Sequence, residues 1–123
     1  MRIVMGFMAL LLSACSTMGD KPVEGWPKLE VVEHYVPSVQ MRDRCSRYVG
    51  FGMMPEACSE FDLAGRKCHI WFSDDPMPAS FIRKHERLHC QGYDHAGSDG
   101  MRHLLEAYQA REAAASAGAG TSR

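Results

Sequence analysis

Four cysteines, Cys45, Cys58, Cys68 and Cys90, remain in this 123-residue chain once Cys15, near the N-terminus, is set aside. They constrain the fold more than any other feature. Beyond Cys15 only about a hundred residues are left, enough for one small domain and too few for two with separate cores. An even number of cysteines in a small exported domain reads as a two-disulfide framework. Four cysteines allow three connectivities. The preferred pairing joins Cys45 to Cys58, closing a short local loop, and Cys68 to Cys90, stapling a predicted strand to a histidine-rich helix. Each bond would contribute about 2 to 4 kcal/mol.

Export is read from the first fifteen residues. "MRIVMGFMALLLSAC" has one early cation, Arg2, an apolar run from Ile3 to Leu12, and then small residues. That is a secretory-signal layout, too short to span a bilayer as a mature helix. Leu12-Ser13-Ala14-Cys15 resembles a bacterial lipobox. The resemblance implies removal of residues 1–14 and diacylglycerol on the Cys15 thiol. Ser16 after it implies sorting to the outer membrane, facing the periplasm. The alternative is an ordinary signal cleaved near Ala14. Residues 15–28 then read as the lipidated cysteine and a flexible tether, because "STMGDKPVEGWPK" holds two prolines, two glycines and little apolar periodicity. With 14 Lys+Arg against 15 Asp+Glu and a net charge of -1, no basic face marks a nucleic-acid partner.

The globular domain is expected over residues 29–112. "LEVVEHYV" (29–36) is β-branched and aromatic, a strand ending at Pro37. "VQMRDRCSRYVGF" reads as a short helix stopped by Gly50, Gly52 and Pro55. "MPEACSEF" (54–61) reads as a brief helical turn begun by Pro55. "KCHIWFSD" (67–74) is a strand with Cys68, Ile70 and Phe72 on one face and His69 and Trp71 on the other. A helix is expected from Asp75 as N-cap and Pro76 as first residue, with Phe81, His85, Leu88 and His89 on one face and Gly92 as its end. A last helix, "GMRHLLEAYQARE", carries Met101, Leu104, Leu105 and Tyr108 as a core stripe. Residues 113–123 are low-complexity and expected to be disordered.

The chemistry concentrates in "HERLHCQGYDH", residues 85–95. His85 and His89, four apart, stand one helical turn above each other and can direct two imidazole nitrogens at one ion. Glu86 is rotated about 100° from His85, which suits a carboxylate that takes a proton from metal-bound water. Gly92 lets the backbone leave the helix and turn, so that His95 returns as a third ligand. Three protein ligands leave one coordination position for water. His85-Glu86, His89, Gly92 and His95 match HExxHxxGxxH, and the stretch resembles the zinc-binding consensus of the metzincin clan of metallopeptidases. By that resemblance His85, His89 and His95 bind Zn2+, and Glu86 is general base and acid in peptide-bond hydrolysis. The only downstream candidate for the clan's methionine turn is Met101, and the domain is short, so the expectation is a minimal zincin. In another scheme Glu106 is the third ligand.

Other residues carry two readings each. Asp94 either orients a ligand imidazole or is an exposed turn residue. Tyr93 and Tyr108 suit packing better than oxyanion stabilisation. Cys90 is a disulfide partner rather than a fourth ligand. His69 and Trp71 either line a substrate groove, as an edge strand does in zincins, or form a half-exposed strand face. His34 and His103 read as surface residues. Taken together, these readings give a lipid-anchored α+β, zincin-like envelope metallopeptidase: a short sheet on the HExxH helix and a C-terminal helix. Its substrate is expected to be a protein or peptide, with peptidoglycan stem peptides as the rival. The competing reading is a non-catalytic envelope lipoprotein whose zinc site or disulfides stiffen a binding module.

Overall fold

The computed structural model describes residues 17–46 and 56–120. The expected leader, the lipidation candidate Cys15 and Pro55 lie outside them.

Three strands form one sheet. They are Glu30–Val36 (β1), Ala57–Asp62 (β2) and Lys67–Ser73 (β3), in the order β1-β3-β2. β3 lies in the middle, parallel to β1 and antiparallel to β2. Its period-two alternation works as the sequence implies: Cys68, Ile70 and Phe72 have no exposed surface, while His69 and Trp71 lie half-buried on the other face. The register sets Glu33 and Tyr35 of β1, and Ala57, Ser59 and Phe61 of β2, beside those core positions.

Helices cover both faces, giving a small α+β domain. Ser38–Cys45 (α1) follows Pro37 and buries Met41 and Cys45, four apart, against Val36, Cys58 and Trp71. Ser80–Cys90 (α2) lies on the opposite face. There Leu29, Leu63, Cys68, Ile70, Phe72, Cys90 and Leu105 make the main core. Arg83 and Arg87 of α2 reach Glu33 at 3.0 and 2.6 Å. Gly100–Ala119 (α3) contributes the buried Met101 and Leu105. The disulfides are Cys45–Cys58, with Cα atoms 5.7 Å apart, and Cys68–Cys90, at 5.6 Å. Each ties a helix to the sheet.

Several elements differ from the sequence reading. Residues 57–61 are not a helical turn but β2. The segment is too short for its composition to decide, and pairing with β3 together with the Cys58 bond sets its conformation. α2 starts at Ser80 rather than Pro76, because Pro78 disfavours a helical Met77. Phe81, expected to share a face with His85, Leu88 and His89, is 71% exposed. Residues 113–119, read as a disordered tail, continue α3, in keeping with their alanine content. The greatest difference is the presumed tether. Residues 17–26 run along the loop after α2 as a strap, with Val23 and Trp26 packed against the core.

Candidate metal centre

The site is assembled by the end of α2, the loop behind it and the strap. α2 closes in a Schellman motif: the Gly92 N–H donates to the His89 carbonyl at 2.9 Å and the Tyr93 N–H to the Leu88 carbonyl at 3.1 Å. Gly92 has φ +97°, and a Cβ there would lie 2.6 Å from Cγ of Trp26. Only glycine satisfies both conditions. The indole itself donates from Nε1 to the Cys90 carbonyl at 3.0 Å and meets Phe61 edge-on.

The turn brings His95 back over α2. His85 Nε2 lies 3.1 Å from His95 Nε2 and 3.2 Å from His89 Nε2. The ligand nitrogens of the three residues all lie within 4.8 Å of one another, so this trio could hold a metal ion. One tautomer follows from chemistry alone. His89 Nδ1 is 2.7 Å from the Tyr93 carbonyl, and a carbonyl only accepts, so Nδ1 carries the proton and Nε2 turns its lone pair to the cluster. Burial holds the His89 pKa below the ordinary imidazole value against the opposing pull of Glu86 and the Tyr93 carbonyl. Neutral imidazole is the form that ligates.

Asp94 fixes the loop rather than an imidazole ring. Its Oδ1 accepts from the His95 N–H at 2.7 Å, and its Oδ2 from the Met101 N–H at 2.9 Å and the Ser98 hydroxyl at 3.1 Å. Burial pushes its pKa up, but these donors outweigh burial and leave it below the usual carboxylate range. The strap holds the same loop from the other side. Gly19 N–H donates to the Asp94 carbonyl at 2.8 Å, Ala96 N–H to the Thr17 carbonyl at 2.7 Å and Val23 N–H to the Gly92 carbonyl at 2.8 Å. Met18 and His95 form an antiparallel bridge.

A cavity of about 470 Å³ opens beside the histidines. Its walls include Ala57, Ser59 and Phe61 of β2, Glu86, and Met101 and Leu104 of α3. Glu86 is 8% exposed, and the Ser59 hydroxyl, itself on a buried residue, donates to its Oε2 at 2.6 Å.

Other sequence candidates fall elsewhere. Glu106 pairs with Arg102 at 3.0 Å on the exposed side of α3 and is outside the histidine cluster. Cys90 is engaged with Cys68. Tyr108 packs on the core, and Tyr93 acts through its carbonyl. His69 and Trp71 do not line the cavity: β3 is the central strand, and they face α1. There His34, expected at the surface, is half-buried, stacks on Trp71 at 4.0 Å and lies 2.8 Å from His69. His103 is exposed, as read. The strand edging the cavity is β2, and it brings Ser59, which the sequence reading passed over. Only the alternation in "ACSEFD" could have flagged it.

Compared with protein-family models, curated proteins and solved structures, the chain shows no match.

Proposed function

We propose that this protein is a zinc metallopeptidase of the bacterial cell envelope, similar in its site to a minimal metzincin. The observation that carries the reading is the convergence of three imidazole nitrogens beside a buried carboxylate on one cavity wall. Three imidazole nitrogens are a donor set that suits zinc. When bound, the ion supplies a Lewis acid that polarises a carbonyl and lowers the pKa of water. The chain's own residues do the rest. His85, His89 and His95 hold the ion, with the Tyr93 carbonyl fixing His89 and Asp94 fixing the backbone of His95. Glu86 would take a proton from the attacking water as the new C–O bond forms and hand it to the amide nitrogen, after which the C–N bond breaks and the amine departs. A protein or peptide is the proposed substrate, and peptidoglycan stem peptides are the rival.

The lipobox resemblance at Leu12 to Cys15 supports anchoring through Cys15, outside the described residues, at the outer membrane. Among the described residues no helix is long and apolar enough to cross a membrane. Palmitate labelling that persists in a Cys15→Ser variant would refute the anchor. For the enzyme, residues 16–123 produced in the periplasm should carry one zinc per chain. The Glu86→Gln variant should keep that zinc and lose cleavage of a quenched peptide library by about 100-fold or more. Zinc-free protein, or full cleavage by Glu86→Gln, would sink the proposal.

A further inference from the structure

Among the described residues, Ser59 is the one side chain that donates a hydrogen bond to the Glu86 carboxylate. Both residues are buried, at 7% and 8% exposure, and both line the cavity that holds the three histidines. The distance, 2.6 Å, is that of a charge-assisted hydroxyl-to-carboxylate bond. Ser59 comes from β2, the strand edging the cavity, and the register sets it opposite Ile70, which has no exposed surface. Next to it, Cys58 is bonded to Cys45 of α1. The donor therefore stands on a strand held by pairing with β3 and by a disulfide to α1, and it meets a carboxylate on a different element.

We infer that Ser59 is the positioning residue of Glu86, resting on the peptidase reading above. Its hydroxyl occupies Oε2, so the carboxylate cannot turn freely about its last bond. Oε1 has no protein donor among the described residues and remains the oxygen open to a water in the cavity. A buried carboxylate with one oxygen held by a strong donor presents the other in a fixed direction. Without Ser59 the group keeps its place on α2 but loses its fixed orientation. Such misplacement of a base slows proton transfer without weakening metal binding.

The test compares Ser59→Ala, Ser59→Thr and Glu86→Gln with the wild type, each as residues 16–123. In Ser59→Ala, zinc content should be unchanged, kcat on a library-derived peptide should fall about 10- to 100-fold, and KM should stay within about twofold. Ser59→Thr, which keeps the hydroxyl, should recover most of the loss. A second readout needs no substrate. Crystal structures should show the Glu86 carboxylate turned or in alternate conformers in Ser59→Ala, and in its wild-type orientation in Ser59→Thr. A purely structural staple between β2 and α2 would lower the melting temperature and leave the carboxylate and kcat as in the wild type. If Ser59→Ala does not fold, Ser59→Cys carries the comparison, with a weaker donor and an intermediate effect. Unchanged kcat and carboxylate orientation in the Ser59 variants overturn this inference even if Glu86→Gln is inactive. If the wild type cleaves nothing, the peptidase reading fails, and an unmoved carboxylate would overturn the role of Ser59 as well.

Discussion

Glu33 lies beneath α2 with Arg83 and Arg87 on its two carboxylate oxygens and the Tyr35 hydroxyl donating at 2.9 Å. Burial pushes its pKa up, and the hydrogen bonds from Tyr35, Arg87 and Arg83 outweigh it, leaving the group below the ordinary value of 4.5. A carboxylate with a depressed folded-state pKa stabilises fully above its unfolded value and loses that contribution as the pH falls through the folded one. Both arginine side chains are more than two-fifths exposed, so screening keeps the contribution to about 1 kcal/mol. Urea melts should show Glu33→Gln weaker than wild type by about 1 kcal/mol near neutral pH and close to it at about pH 3. An equal loss at both pH values would mean that shape, not charge, is what Glu33 provides. At this scale the site was largely legible, because the three histidines, Glu86 and Gly92 fall in one eleven-residue stretch whose helical geometry fixes their relations. Ser59 was not, since it meets Glu86 across 27 positions through sheet pairing.

Among the elements, α2 matters most, because its last turn carries His89 and ends in Cys90. The Cys68–Cys90 bond fastens that end to the central strand across 22 residues, worth about 3 kcal/mol by loop closure. Replacing both cysteines with alanine should lower stability by about 2 to 4 kcal/mol and weaken zinc retention against a chelator. If zinc affinity is untouched, the helix end is held by Gly92 and Trp26 alone. Element reading from sequence succeeded where one signal dominated, as in the alternation of β3 or the glycine stop of α2. It failed for β2, whose six residues have no preference strong enough to oppose or demand pairing. It also failed for the end of α3, where low complexity was taken for disorder although alanine is the best helix former.

For the whole molecule, the decisive error of sequence reading was treating residues 16–28 as a spacer. Prolines and glycines suggested a coil, and a coil it is by hydrogen-bond pattern, yet Val23 and Trp26 are core residues and residues 17–19 pair with the histidine loop. A domain boundary at Leu29 therefore cuts through the site. Protein beginning at residue 29 should retain both disulfides and lose at least about tenfold in zinc affinity, measured by chelator competition, relative to residues 16–123. Equal affinity would mean that Asp94 alone suffices to hold His95.

The strap also fixes when the centre can form. Thr17 and Ala96 are about eighty positions apart, so their pairing closes one of the widest loops among the described residues and carries a correspondingly large entropic cost. Contacts of that span are made after the sheet and its helices have shortened the path. The histidine cluster is thus completed only when the strap meets the loop after α2, and a metal bound there would tie the two segments together.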